Sequence, residues 1–404
     1  MNILVYRWNS YNYIDIIATF QSMEHQVDVI EQELESYDED GVFAARLHGI
    51  LQQKNYDFVF TVNYFAVISG VCQQMGIKYV SWSCDSPLLS MYHKNVFLDC
   101  NYFFLFDKTN YLEFKGMGVK HIWHLPLAVD TDRLDELFAQ DTMDKMQLAE
   151  TDSGNASKHS VRDFAGGISF VGNLYEKNSY DELETRFPEY LRGYFDAVME
   201  AQLNISGGHI IEPMLTADIL ERVSEYFELK KSKDSFSDLG LVFATTVLGF
   251  KTASLQRQRA LLALVAKFPV NLYTNTGGDT LLRVKNCGSV DYWSEMPKVF
   301  RYSKINLNFT IPNIKSGLPL RIFDVLGAGG FLLTNYQAEL PDYFEIGKDL
   351  ACFESEAELV EKCSYYLTHE EERQQIAKNG YEKVKNCCSY RKRLKFILEK
   401  IGEE

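Results

Sequence analysis

Lys315, Arg321 and Asp324 fall in one short run, IPNIKSGLPLRIFDVLGAGGFLLTN (311–335), whose pattern reads strand, loop, helix, strand. Pro319 suits a first helical turn, where a missing N–H is no loss. Gly327, Gly329 and Gly330 can close the helix in left-handed geometry before the next strand. A helix N-terminus presents unpaired N–H groups and the positive end of its dipole, so this one is a ready anion site. Lys315 and Arg321 flank it, and a planar guanidinium fork matches phosphate oxygens. With Ser316 and Gly317 they form a candidate diphosphate cradle. Asp324, three positions after Arg321, shares its helical face. An ordinary surface salt bridge has the same spacing.

Asp85, in WSCDSP, stands just past the strand-like YVSW, where a carboxylate can deprotonate a hydroxyl. An Asx-type turn before Pro87 is the alternative. Asn63 follows the apolar run DFVFTV, and Arg7, Trp8 and Asn9 follow the first strand as a polar and aromatic loop suited to a sugar. Tyr273, Thr274, Asp291 and Tyr292 end or follow later strands and can frame a base and ribose, or else pack at a sheet edge. Two D-x-D strings, 38–40 and 130–132, have the form that holds a divalent metal on a diphosphate; with 56 Asp+Glu in the chain such strings arise by chance, and no metal is expected. His121 and His124 flank Trp123 in a strand, where residues three apart point to opposite faces and cannot chelate together. The basic run 391–393 with Lys395 reads as a solvated helix face.

These residues need elements to position them. The first hundred residues alternate apolar runs at 2–6, 26–30, 57–62, 78–82 and 102–106 with helical patterns at 11–23, 41–53, 64–75 and 109–117. Strands apolar throughout and separated by helices specify a parallel sheet covered on both faces. The first glycine is Gly41, so the first strand-to-helix turn lacks the glycines that let a dinucleotide pyrophosphate approach. No GxxxxGK[ST] string occurs, which removes the P-loop nucleotidases. The polar stretch TDSGNASKHS (151–160) marks a boundary between an N-terminal Rossmann-like domain, 1–160, and a second, 161–404. The second opens with GISFVGN (167–173), passes through a helical insertion at about 175–268 and resumes with strands at 270–274, near 289–292, 305–310, 331–335 and 349–354. Terminal helices fill 356–401, the last with room to pack back on the N-terminal domain. The expected class is α/β, two Rossmann-like doubly wound domains facing a cleft.

A chain of 404 residues with 46% hydrophobic and 14% aromatic content can build two such cores. Its net charge of −15 argues against nucleic-acid binding, which needs a cationic surface. Eight cysteines, at 72, 84, 100, 287, 352, 363, 387 and 388, form no C-x-x-C pair and read as reduced thiols. With no basic leader and no uninterrupted apolar stretch near ~18 residues, the expectation is a cytoplasmic protein without an integral membrane segment.

The run PLRIFDVLGAGGFLLTN resembles the nucleotide-sugar helix of group-1 glycosyltransferases, in particular the CgeB-like (spore maturation protein) branch. Similar stretches are SFVGNLY (169–175), VDYWSEMPKVFRYSKINLNFT (290–310), ELPDYFEIGKDLACFES (339–355) and, earlier, YVSWSCDSPL (79–88), FDKTNYLEFKGMGVK (106–120) and LPLAVDTDRL (125–134). The resemblance implies a GT-B fold, with the donor in the C-terminal half and the acceptor in the N-terminal half. It implies that basic side chains and a helix N-terminus replace a metal, and that Asp324 binds ribose hydroxyls. Gly172 and Asn173 join the donor set, and Trp8, Asn9 and Asn63 the acceptor set. Many retaining relatives carry two glutamates at the positions of Ser316 and Asp324, so a retaining mechanism is not carried over.

The expected activity is transfer of a sugar from a nucleoside-diphosphate-sugar, UDP favoured, to an acceptor hydroxyl on a protein, glycan or cell-envelope precursor. No cofactor beyond that donor is implied. Two alternatives stay open: a sugar-nucleotide epimerase, which needs a second acid, and a nucleotide-sugar-binding or morphogenetic protein without turnover.

Overall fold

Runs that are apolar at every position become central strands. In the computed structural model, which describes residues 1–150 (142–150 as backbone), 164, 166–275, 277, 281 and 283–403, they build two six-stranded parallel sheets. The first holds β1 (Asn2–Arg7), β2 (Gln26–Glu31), β3 (Phe58–Val62), β4 (Lys78–Trp82), β5 (Asn101–Leu105) and β6 (Ile122–His124) in the order β2-β1-β3-β4-β5-β6. β3 and β5 are buried at every residue, as strands covered on both faces must be. The second holds β7 (Gly166–Val171), β8 (Val270–Tyr273), β9 (Lys285–Asn286), β10 (Ser303–Asn308), β11 (Leu332–Asn335) and β12 (Ala351–Phe353) in the order β12-β11-β10-β7-β8-β9. Strand order reverses between β1 and β3 and between β7 and β10. Ligands of doubly wound sheets bind at these switch points, outside the carboxyl ends of the strands.

Two expectations need comment. The strand placed near 289–292 is found at 285–286 instead. Asp291 accepts from the N–H groups of Trp293 and Ser294 and from Ser294 Oγ, which folds that segment into a turn. The boundary stretch 151–160 lies outside the described residues.

Between β7 and β8 stand the helices Ser179–Leu183, Glu189–Leu203, Ile211–Met214 and Ala217–Val223, then a long one, Leu239–Val265, with a π-turn at Ala244–Gly249. Tyr180, Leu191, Phe195, Ile219, Phe243 and Val247 give them a core of their own. The long helix is apolar enough by composition to cross a membrane, but 61% of its most apolar window is buried in the protein, as in a core helix.

Two segments tie the halves together. From the insertion, Ser235 bridges antiparallel to His93, Phe236 N–H donates to Tyr92 O at 2.8 Å, and the Phe236 ring stacks on Phe97. At the other side the last helix, Tyr390–Gly402, lies against the helix Tyr13–Ser22 and buries Leu394, Ile397 and Ile401. Lys78 Nζ donates to Ile401 O at 2.6 Å, and Val129 N–H to Cys388 O at 3.0 Å.

Candidate functional site

At the first switch point, Asn63 follows β3 in the left-handed region, φ 62°, which asparagine tolerates better than most residues. That turn aims its side chain at the loop after β4. Asn63 Nδ2 donates to Asp85 Oδ2 at 2.7 Å, while its Oδ1 accepts from the N–H groups of Cys84 and Asp85 at 2.9 and 3.3 Å. Asp85 is open to water yet walled by protein on most sides. The lost hydration raises its pKa above the ordinary Asp value, against the opposing bond from Asn63. Trp8 Nε1 donates to Val62 O at 2.8 Å, so the aromatic loop after β1 abuts the same floor. Asn9 is exposed in that loop.

At the second switch point lies a residue that sequence reasoning missed. Arg257, on the long helix, is 8% exposed. Its two Nη groups donate to Asn173 O, just past β7, and to Phe309 O, just past β10, the latter at 2.9 Å. Its plane lies 4.8 Å from the Tyr175 ring and 5.5 Å from the Phe170 ring, and Nε has no hydrogen-bond partner. Among the described residues no carboxylate pairs with it. Burial pushes its pKa below the usual Arg value against the opposing Tyr175 hydroxyl, and Arg321 adds a smaller push downward. A buried guanidinium beside a second cation is costly unless an anion joins them. Tyr175, at φ 52°, is a non-glycine residue in the left-handed region, an outlier of the kind that clusters at binding sites.

Arg321 itself donates to Asp324 Oδ2 at 3.2 Å and to Met296 Sδ at 2.6 Å, over the Phe300 ring. The pair is half-buried rather than a surface salt bridge. Asp324 Oδ1 accepts from Tyr292 Oη at 2.9 Å, and burial raises its pKa to about 6. The Tyr292 ring in turn stacks on Tyr11 of the first half, 4.9 Å between centroids. The loop after β1 thus meets the loop after β9, as the loop after β5 meets that after β10 through Asp107 and Ser316, and the carboxyl ends of the two sheets face one another.

Residues 257–399 match the family model described as Glycosyl transferase-like. No curated protein matches the sequence. Over its full length the chain is similar to HepE from Anabaena in complex with UDP and glucose, at 10% identity and a TM-score of 0.55, with 100% of each chain covered. It is similar also to the α,α-trehalose 6-phosphate synthase of Burkholderia multivorans, at 9% identity and 0.56, covering 100% of this chain and 98% of that one. The sucrose-phosphate synthase of Thermosynechococcus elongatus gives 9% and 0.51, covering 100% and 99%. The fold is GT-B.

Within this GT-B cleft several expected roles change. Lys315, Ser316 and Gly317 do not form a free cradle, because Asp107 at the end of β5 takes them. It accepts from Lys315 N at 2.8 Å and from Ser316 Oγ at 2.8 Å, besides Ser86 Oγ at 2.9 Å. A Cβ on Gly317 would meet Asp107 Cα at 2.9 Å, so only glycine allows the approach. The Lys315 ammonium is held by Glu212 at 2.9 Å and Glu113 at 3.9 Å. These three residues join the halves. Asn63, 4% exposed, spends its carbonyl oxygen and one amide N–H on the loop that carries Asp85, so what the structure gives it is a positioning contact. Tyr273 and Thr274 are buried, so they wall the site instead of presenting a platform for a base. Asp291 folds its own turn, and those hydrogen bonds, led by Ser294 Oγ, lower its pKa. Gly172 N–H donates to Tyr273 O, and Asn173 Oδ1 accepts from Tyr175 N–H; both shape the turn that seats Arg257. The D-x-D carboxylates have structural work: Asp40 caps the helix Gly41–Gln53, and Asp130 accepts from Arg133 N–H.

Proposed function

We propose that the chain is a metal-independent, CgeB-like glycosyltransferase moving a sugar from a UDP-sugar to an acceptor hydroxyl on a protein, glycan or cell-envelope precursor in the cytoplasm. The Glycosyl transferase-like match over the donor half and the likeness to HepE solved with UDP-glucose support the donor class. The observation that carries the reading is Arg257, a buried guanidinium without a carboxylate, beside Arg321 at the donor switch point. In this reading the two cations and the first N–H groups of the helix Leu320–Gly327 hold the diphosphate and stabilise it as it departs. Asp85 takes the acceptor's hydroxyl proton as the new bond forms at the anomeric carbon and the sugar–phosphate bond breaks.

Calorimetric titration with UDP, with and without EDTA, tests it. UDP should bind equally in both, and Arg321→Ala and Arg257→Lys should each weaken it at least about tenfold, ~1.4 kcal/mol, with an unchanged far-ultraviolet circular dichroism spectrum. Loss of binding on chelation overturns the metal-free claim. Unchanged affinity in both variants overturns the site.

A further inference from the structure

Beside the loop after β1 lies an open cavity of about 570 Å3. That volume lies within the ~300–1,000 Å3 of small-molecule sites. Its walls come from three places: the end of β1 with the loop after it, residues 31–37 at the end of the edge strand β2 and beyond, and Trp293 of the second half. Five aromatic residues line it, Tyr6, Trp8, Tyr11, Tyr37 and Trp293, with Tyr6 buried and Tyr11 60% and Tyr37 53% exposed. Exposed rings gathered in one cavity mark a contact surface rather than core. Their positions are fixed from behind: Phe65 meets both Trp8 and Tyr37 edge-on, at 6.1 and 5.2 Å, and Tyr11 is stacked on Tyr292. Pre-set rings lose little conformational freedom on binding.

The polar groups among the rings set the ligand's charge. Among the described residues Arg7 is the one lining cation, and it is already paired with Glu31 at 2.8 Å. Glu33 lines the cavity as well, so two carboxylates stand against one guanidinium. A phosphate, sialate or uronate would meet repulsion here and no free cation. The neutral C–H face of a pyranose suits the electron-rich face of an aromatic ring, and its hydroxyls suit carboxylate and amide acceptors. The cavity also adjoins the reacting centre, since Trp8 is bonded to Val62, next to the Asn63 that holds Asp85.

We infer that this cavity is the acceptor subsite and that the acceptor is an uncharged saccharide, its ring lying on Trp8, Tyr37 and Trp293 with hydroxyls toward Glu33. The inference rests on the glycosyltransferase reading and narrows it to a glycan acceptor.

The test is an array of neutral, sialylated, uronate-containing and phosphorylated glycans, with hydroxyl-bearing peptides, probed by labelled full-length protein saturated with UDP. Neutral glycans should be retained, and acidic analogues of the same core should bind at least tenfold more weakly. Tyr37→Ala and Trp293→Ala should each weaken the retained glycan at least tenfold, and Tyr37→Ala should leave UDP affinity unchanged. Glu33→Lys should narrow the gap between acidic and neutral analogues. Equal or tighter binding of acidic glycans, binding of peptides alone, or no glycan retained overturns the inference. If UDP itself does not bind, the donor reading fails; if UDP binds and the cavity variants leave glycan binding unchanged, only the acceptor assignment fails.

Discussion

Two carboxylates raised by burial have different consequences. Asp85 is held by an amide, not a cation, and burial outweighs the opposing bond from Asn63. Changing Asp85→Asn keeps the size and removes the charge. Turnover should then fall by about 10²–10⁴-fold, the usual worth of a general base, with the UDP dissociation constant unchanged; a near-normal rate returns the residue to turn chemistry. Asp324 bears on stability. Its folded pKa of about 6 stands above the ordinary 3.8, so between those values the folded chain holds more protons than the unfolded one. Its favourable contribution is therefore complete below about pH 4 and is lost as pH rises through 6, a change of about 3 kcal/mol. Asp324→Asn cannot titrate. Urea unfolding at pH 4.5 and 7.5 should show the parent losing about 2–3 kcal/mol relative to that variant as pH rises. A difference that stays flat with pH removes Asp324 as the cause.

Elements far from the reaction hold these groups in place. The last helix belongs to the second half by sequence but packs on the first, where Leu394 and Ile397 are fully buried. Ser389 caps it, and Tyr390 meets Trp82 edge-to-face at 6.0 Å. Ile397→Ala should therefore destabilise the chain by about 2–5 kcal/mol, the range for a buried truncation. Denaturant midpoints read this directly, and a loss below about 1 kcal/mol would mean that the helix is only loosely docked. The π-turn in the long helix has a comparable role. Asn313, on the loop after β10, donates to the Thr245 carbonyl within that turn at 3.0 Å, which pins the loop beside Arg257's partner Phe309.

At the scale of the molecule, the halves are joined by the strap at Ser235, by the last helix and by the Asp107 floor. The floor is the least forgiving. Gly317→Ala would drive a Cβ against Asp107 backbone at 2.9 Å, a clash no rotamer relieves. The expected result is a wider cleft, seen as a larger radius of gyration by small-angle scattering, and slower transfer with little change in helix content. Unchanged scattering and rate would show that the floor yields locally.

The sequence by itself determined the two parallel sheets and the helix Leu320–Gly327, because strand and helix periods and the Pro319 and glycine boundaries are local properties of the chain. It determined the position of Asp85 as well, since the loop after a buried parallel strand opens toward the crevice whatever its neighbours are. What became of Lys315, Ser316 and Gly317 was decided by Asp107, about two hundred residues earlier, once the halves closed on one another. Arg257 was illegible for the same reason: QRQRALL looks like an ordinary helix surface, and only the return of that helix beneath β7 and β10 buries its guanidinium between two strand ends. Periodicity tells which face of an element is buried; which partners meet there depends on contacts between distant parts of the chain, and those exist only in the folded molecule.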